Sequence, residues 1–485
     1  MGKKNLFIGR QGELKELKLL LSRKTAALVV IKGRRRIGKS RLIEEFAKGK
    51  NFLRFEGMAP TRRTTAQAQR EEFARQIHQQ LGIPGLHNLR DWGDLFTLVA
   101  ESTKKEEIII LFDEITWMGS RDPVFLGKLK IVWDQYFQKN PNLILILCGS
   151  MSSWIEKNII GSTGFLGRIS LKLNLEEMSL YECNTLLKAH GFKGSVQEKF
   201  MLLAVTGGVP WYIEQINPLL PAHENIRKLC FEPNGLFVDE FKYIFHDLFG
   251  KRLPICKKIV ESLKDGPKEY KEIAHHIQYP SGGPLSDYFE DLIISGFLER
   301  EHTWSLQSGQ ELKSSKYRIR DNYLRYYLKY ILPSLRRIKK GLFKTMNPFN
   351  MPGWEGVMGL QFENLVLNNR ASIWNALELC LEDIVFENPY FQPKTLKQAG
   401  CQIDYLIQTR FKNLYICEIK FSHKAISIDV VREMKEKLKA IKVPKGVACL
   451  PVLIHVNGVT RAVKESDFFS HILDFSNNLA EPLPI

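Results

Sequence analysis

The apolar positions of this chain fall into short, dense runs separated by polar segments. Ala27–Ile31 (Ala-Leu-Val-Val-Ile), Ile108–Phe112 (Ile-Ile-Ile-Leu-Phe) and Leu143–Cys148 (Leu-Ile-Leu-Ile-Leu-Cys) show no alternation, the pattern of parallel strands buried on both faces. Past residue 250 the spacing turns helical. Ile255 to Leu263, Tyr270 to Ile277 and Leu285 to Ile294 read as three helices broken by Gly266-Pro267 and Pro280-Ser-Gly-Gly-Pro284, and Phe297–Arg300 with Tyr317–Ile319 reads as a strand pair. Near the C-terminus, Ile403–Ile407 and Leu414–Lys420 flank a charged, turn-sized gap and predict a β-hairpin, followed by a Lys- and Glu-rich helix over Ile428 to Ile441.

The segment after the first strand changes the picture. Residues 33–40 read Gly-Arg-Arg-Arg-Ile-Gly-Lys-Ser, filling every position of the phosphate loop G-x-x-x-x-G-K-[ST] between a strand and a helix start. Backbone N–H groups freed by Gly33 and Gly38 can curl around phosphates, Lys39 can neutralise the β/γ oxygens, and Ser40 offers a hydroxyl to Mg²⁺. Arg34, Arg35, Arg36, Ile37 and Arg41 complete the candidate nucleotide-binding segment and make it unusually cationic.

The second run ends in Asp113-Glu114, where Asp113 would hold the Mg²⁺ water shell and Glu114 would polarise the attacking water. The third ends in Gly149-Ser150, whose short polar side chain can reach the γ-phosphate or that water, or cap the next helix. Arg168, after the flexible Gly164-Phe-Leu-Gly stretch, is a candidate arginine finger acting within or between subunits, or the partner of a carboxylate.

Phe7-Ile-Gly-Arg10 with Glu13-Leu14, the phosphate loop, the Asp-Glu strand, the Gly-Ser strand end, Leu-Gly-Arg168 and Thr206-Gly-Gly-Val-Pro-Trp-Tyr212 together resemble the archaeal-type ATPases of the AAA+/STAND P-loop group. The resemblance implies ATP as ligand and a nucleotide-proximal Arg10. It also implies a C-terminal DUF234-type domain entered through Tyr317-Arg-Ile-Arg-Asp321.

The C-terminal hairpin carries a second constellation. Strand alternation places Glu418 and Lys420 on one face, where Asp404 can meet them across the pair. Asp404, Glu418 and the Ile419 carbonyl suit Mg²⁺ or Mn²⁺, and Lys420 can orient water toward a phosphodiester. Glu363, on an amphipathic helix upstream, could add a third carboxylate. Glu, then Asp, then Glu-x-Lys resembles the PD-(D/E)xK nuclease superfamily, although Ile403 stands where that pattern has proline.

Length and charge set the frame. With 485 residues, 44% of them hydrophobic, the chain exceeds the reach of a single core. The expected organisation is a multidomain α/β protein: a P-loop NTPase parallel sheet at 1–175, a helical lid at 176–248, a winged helix-turn-helix with a basic aromatic linker helix at 249–345, and a restriction-endonuclease-like domain at 350–485. A net charge of +17 favours a nucleic-acid partner, DNA first. Basic residues interleaved with Tyr323, Tyr326, Tyr327 and Tyr330 read either as a nucleic-acid platform or as an amphipathic helix with a tyrosine core. The third helix of the middle segment carries Asp287, Glu290 and Asp291 and no base, which argues against it as a DNA-reading helix. Eight scattered cysteines without a C-x-x-C pair read as reduced thiols, and no apolar run reaches membrane-spanning length. Met1–Leu6 reads neither as a signal peptide nor as a myristoylation site. A cytoplasmic ATPase, alone or as a homo-oligomer or with a protein partner, is expected.

Overall fold

The computed structural model describes residues 7–61, 64–84, 91–150, 153–396 and 398–480; the reading of Met1–Leu6 lies outside them. These residues gather into two compact units, one running to Glu177 and one beginning at Met178.

The first unit is built on five parallel strands, β1 (Ala27–Gly33), β2 (Phe52–Glu56), β3 (Ile108–Asp113), β4 (Leu143–Ser150) and β5 (Ile169–Leu175), in the order β2-β3-β4-β1-β5. Every residue of β3 is buried, as its unbroken apolar run requires. One sheet face packs on an aromatic cluster in which Phe73 meets Phe55, Trp92, Phe96 and Phe112 at ring-centroid distances of 4.7–5.6 Å. Helix α1 (Lys39–Ala47) starts directly after the loop that leaves β1, and α2 (Phe125–Gln135) packs over the aromatic cluster through Phe125. Because β4 lies between β1 and β3, the loop after β1 and the acidic end of β3 are one strand apart, with the end of β4 between them.

The second unit begins with helices, among them α3 (Val196–Thr206). Next come α4 (Leu253–Ser262), α5 (Tyr270–His276) and α6 (Gly283–Ile294) with a three-stranded antiparallel sheet of β6 (Lys268–Glu269), β7 (Leu298–Ser305) and β8 (Gln310–Ile319), ordered β6-β8-β7. Asp291 of α6 is buried and paired with Arg252.

The basic aromatic segment belongs to the core. Tyr323, Tyr326, Tyr327 and Tyr330 are 2%, 0%, 4% and 3% exposed, and Arg318 and Arg325 are buried with them. A stacking platform needs open ring faces, so these tyrosines do not form one. Helical periodicity alone does not distinguish a core stripe from a binding stripe. Arg336, Arg337, Lys339 and Lys340, one turn further on, are exposed.

The C-terminal part is a mixed sheet of β9 (Ile384–Gln392), β10 (Cys401–Thr409), β11 (Asn413–Lys420), β12 (Ala448–His455) and β13 (His471–Asp474), ordered β13-β12-β11-β10-β9. β10 runs antiparallel to both of its neighbours, β9 and β11, whereas β12 and β13 run parallel to β11. Helix α7 (Trp354–Asn368) packs along β11 and α8 (Asp429–Ala440) along β10, with Val430, Val431 and Met434 entering the core beside Leu406 and Ile416.

A buried polar junction ties these parts together. Gln361 of α7 donates to the carbonyls of Ala204 on α3 and Asn322 at 2.6 and 2.7 Å, Asn322 donates back to Gln361 at 3.1 Å, and Arg325 donates to the Leu360 carbonyl at 2.7 Å. Arg318 of β8 reaches Glu301 at 2.6 Å and Asn364 of α7, while Arg370 meets the same Glu301 at 3.2 Å. Burying this many polar groups is tolerable because most of their polar atoms find partners within the cluster; Gln361 Oε1, Arg325 Nε and Arg370 Nε are buried without one.

Candidate functional site

The loop after β1 turns on backbone conformations that few residues adopt: Arg36 and Gly38 have φ of 71° and 92°. Gly38 then caps α1, whose first turn starts with the buried Lys39. Free N–H groups at a helix start attract anions. Lys39 Nζ donates to the carbonyls of Gly33 and Arg34 at 3.0 and 3.3 Å, which fixes the ammonium over the loop. Ile37 is buried beneath it, and Arg34, also buried, pairs with Glu177 at 3.5 Å. Arg35, Arg36 and Arg41 lie on the same loop and first turn. Arg10 is 7% exposed and donates to the carbonyls of Ile37 and Glu176, so it braces the loop from the N-terminal side.

Ser40 Oγ donates to Asp113 Oδ2 at 3.0 Å, joining loop and β3 end. These are the oxygen donors a hard divalent cation takes, and Ser40 and Asp113 would hold Mg²⁺ accompanying a nucleotide. Arg54 of β2 donates to the same Asp113 oxygen at 2.8 Å and also meets Glu44 at 2.8 Å. It escaped the sequence reading because the contact depends on β2 lying beside β3, which no local motif announces.

Glu114 follows in a left-handed conformation, φ 50°, and caps the short helix that leaves the strand. One carboxylate oxygen is buried without a partner, and the backbone N–H of Ser150, at the end of β4, supports the carboxylate. Burial raises its pKa, Lys39 and Arg35 oppose the rise, and Asp113 adds to it. A carboxylate poised in this way can take a proton from water at neutral pH. Arg168 is held instead by Asp134 of α2, with Nε–Oδ1 and Nη2–Oδ2 distances of 2.7 and 2.9 Å. This bidentate pair lowers the Asp134 pKa to about 2.

Gly57, after β2, is a second residue that no motif marks. A Cβ there would lie 2.7 Å from the Glu114 carbonyl oxygen and 2.9 Å from the Met118 nitrogen. Gly57→Ala is therefore expected to push the Glu114 turn aside, costing about 1–3 kcal/mol in thermal unfolding and lowering ATP turnover.

Residues 7–216 match the sequence profile of an ATPase domain found predominantly in Archaea. They carry an archaeal-type P-loop ATPase domain. An uncharacterized protein of Methanocaldococcus jannaschii, MJECL04, is 25% identical over 344 residues, 70% of this chain and 72% of that protein. Among solved structures, the Walker-type ATPase PABY2304 of Pyrococcus abyssi aligns with TM-score 0.46 and 17% identity, over 67% of this chain and 96% of its own. The Aeropyrum pernix ORC2 protein aligns with TM-score 0.42 and 14% identity, over 69% and 97%.

Outside the ATPase domain, the C-terminal sheet brings together the second set of candidate residues. The ladder between β10 and β11 ends at Tyr405 opposite Cys417, one position short of Asp404 and Glu418, and the Ile419 N–H instead donates to Asp404 Oδ2 at 2.9 Å. An extended residue directs N–H and C=O to the same edge, so the Ile419 carbonyl also faces β10. Lys420 meets Glu418 at 3.0 Å and Glu433 of α8 at 2.8 Å. The three hairpin residues open on a cleft of about 630 Å³ also lined by Cys401, Gln402, Glu436 and Lys437. Burial, with the neighbouring Glu418 charge, raises the pKa of Asp404; burial, with Asp404, raises that of Glu363. Glu363 thus shares the electrostatic field of the hairpin carboxylates.

No group of three or more His, Cys, Asp or Glu side chains poised around a metal occurs among the described residues. Asp404 and Glu418 could offer two oxygen ligands, and a hard cation would take the others from backbone carbonyl, water or phosphate. Lys437 of α8, absent from the sequence reading, hydrogen-bonds Glu418 and lies 3.6 Å from Asp404. Its signal lay in the spacing: Glu433 and Lys437 are four apart and share one helix face. No helix of the described residues is long and apolar enough to cross a membrane.

Proposed function

We propose that this chain binds and hydrolyses ATP to gate a DNA-binding, metal-dependent nuclease-like domain. The observation that carries the reading is the convergence of Asp404, Glu418 and Lys420 on one cleft, in a chain that also holds the phosphate loop and the Asp113-Glu114 pair. In the ATPase domain, Lys39 and the loop N–H groups orient the triphosphate, Glu114 accepts the proton of the attacking water, and Ser150 fixes the Glu114 carboxylate. Arg168 reaches the γ-phosphate only after leaving Asp134.

In the C-terminal domain, Asp404, Glu418 and the Ile419 carbonyl would hold Mg²⁺ or Mn²⁺, Glu363 acts on them through its charge rather than as a third ligand, and Lys420 orients water toward the phosphodiester. When bound, the cation neutralises phosphate oxygens and acidifies its water. Residues 249–319 act as a winged helix that contacts DNA through its hairpin rather than through the acidic α6. The exposed Arg336, Arg337, Lys339 and Lys340 extend the basic surface. Replacing these four by alanine is expected to weaken DNA binding and to flatten the slope of log K against log salt by about 0.9 for each phosphate no longer neutralised.

The decisive assay incubates the full chain with plasmid and Mg²⁺ or Mn²⁺, with and without ATP. Nicking or linearisation that responds to ATP is expected, and intact plasmid under every condition would refute cleavage. A second reading, a nuclease-shaped domain that binds without cutting, is favoured by one feature: Lys437 and Glu433 already engage the motif side chains.

A further inference from the structure

Helix α8 lays two residues across the C-terminal cleft. Glu433 accepts the Lys420 ammonium at 2.8 Å, and Lys437 contacts both Glu418 and, at 3.6 Å, Asp404. Each therefore sits against a motif side chain of opposite charge. Lys437 is itself three-quarters buried, beside a Glu418 side chain only 3% exposed, so the contact differs from a solvated surface pair. Burial opposes the Lys437 charge, yet Asp404 and Glu418 outweigh it and hold the ammonium above the usual lysine range.

We infer that Lys437 is a built-in counter-ion standing in the cation position between Asp404 and Glu418, so that the cleft admits a divalent metal only when this ammonium swings out. The inference rests on the reading of Asp404 and Glu418 as metal ligands, and it adds a resident competitor to that site. Two adjacent carboxylates, Glu418 buried and Asp404 partly so, require compensating positive charge. Lys420 supplies part of it at Glu418, whereas Lys437 is the ammonium in contact with both carboxylates, and a lysine stem has the rotatable length to withdraw. Metal affinity is then set by the difference between the ion's attraction to the carboxylates and that of Lys437. Because Lys437 is carried by α8, any shift of that helix changes the affinity.

Mn²⁺ binding to the full chain, measured by titration calorimetry without nucleotide, tests this, since the phosphate loop then lacks the phosphates that complete its metal site. Lys437→Met is expected to bind Mn²⁺ at least about tenfold more tightly than the wild type, and Lys437→Arg, which keeps the charge, to bind as weakly as the wild type. Thermal unfolding gives a second readout. Lys437→Met should melt lower without metal and regain the difference at saturating Mn²⁺, whereas the wild type should gain little. Equal affinity in wild type and Lys437→Met, or Lys437→Arg binding as tightly as Lys437→Met, would overturn the counter-ion role while leaving the metal-ligand reading intact. Mn²⁺ binding in none of the three proteins would overturn both.

Discussion

Glu114→Gln is expected to leave ATP binding intact and to slow hydrolysis by about 10²- to 10⁴-fold, the usual contribution of a positioned general base. The amide keeps the shape of the side chain and can still meet the Ser150 backbone, but it cannot accept the proton of water. Lys39→Ala should act differently. It removes the buried ammonium over the loop and with it the binding of the triphosphate itself. Nucleotide binding by fluorescence and phosphate release by a coupled assay separate the two effects. Wild-type turnover in Glu114→Gln would transfer the base role to another residue.

Asp404→Asn is expected to reduce plasmid cleavage to background, a loss of at least about 10²- to 10³-fold, without weakening DNA binding or ATP hydrolysis. The substitution preserves volume and the contact from the Ile419 N–H while removing the charge that holds a metal. On the proposed reading, DNA binding should be retained, because affinity for phosphates would come from the exposed Arg336, Arg337, Lys339 and Lys340, which lie elsewhere in the chain. Unchanged cleavage by the variant would locate phosphodiester chemistry outside this cleft.

The parts of both sites that lie within short stretches of sequence are legible without the fold. The phosphate loop, the Asp113-Glu114 strand end and the Glu418-x-Lys420 strand each carry their spacing locally, and strand alternation with the short hairpin gap brings Asp404 to the same end of the pair as Glu418. Residues supplied by neighbouring elements are not legible in this way. Arg54 reaches Asp113 because β2 pairs with β3, Gly57 matters because the Glu114 turn passes 2.7 Å from where its Cβ would stand, and Lys437 depends on how α8 lies over β10. The tyrosines of 323–330 show the opposite difficulty. Their pattern is plain, but whether such a stripe faces solvent or core is decided by the elements packed against it, here α7 and the helices of the second unit.

The junction of Asn322, Gln361 and Ala204 bears on how this protein can be dissected. A fragment beginning near residue 350 would carry the whole C-terminal sheet, yet it would strip Gln361 of both acceptors of its amide group and uncover the α7 face that Arg325 and Asn322 now cover. It would also forfeit the hydrogen bond in which Asn184 donates to the Leu479 carbonyl at 2.6 Å, fastening the end of the chain to an early helix. Excised pieces of this half should be insoluble or loosely folded, so the proposed cleavage is to be sought only in the intact polypeptide.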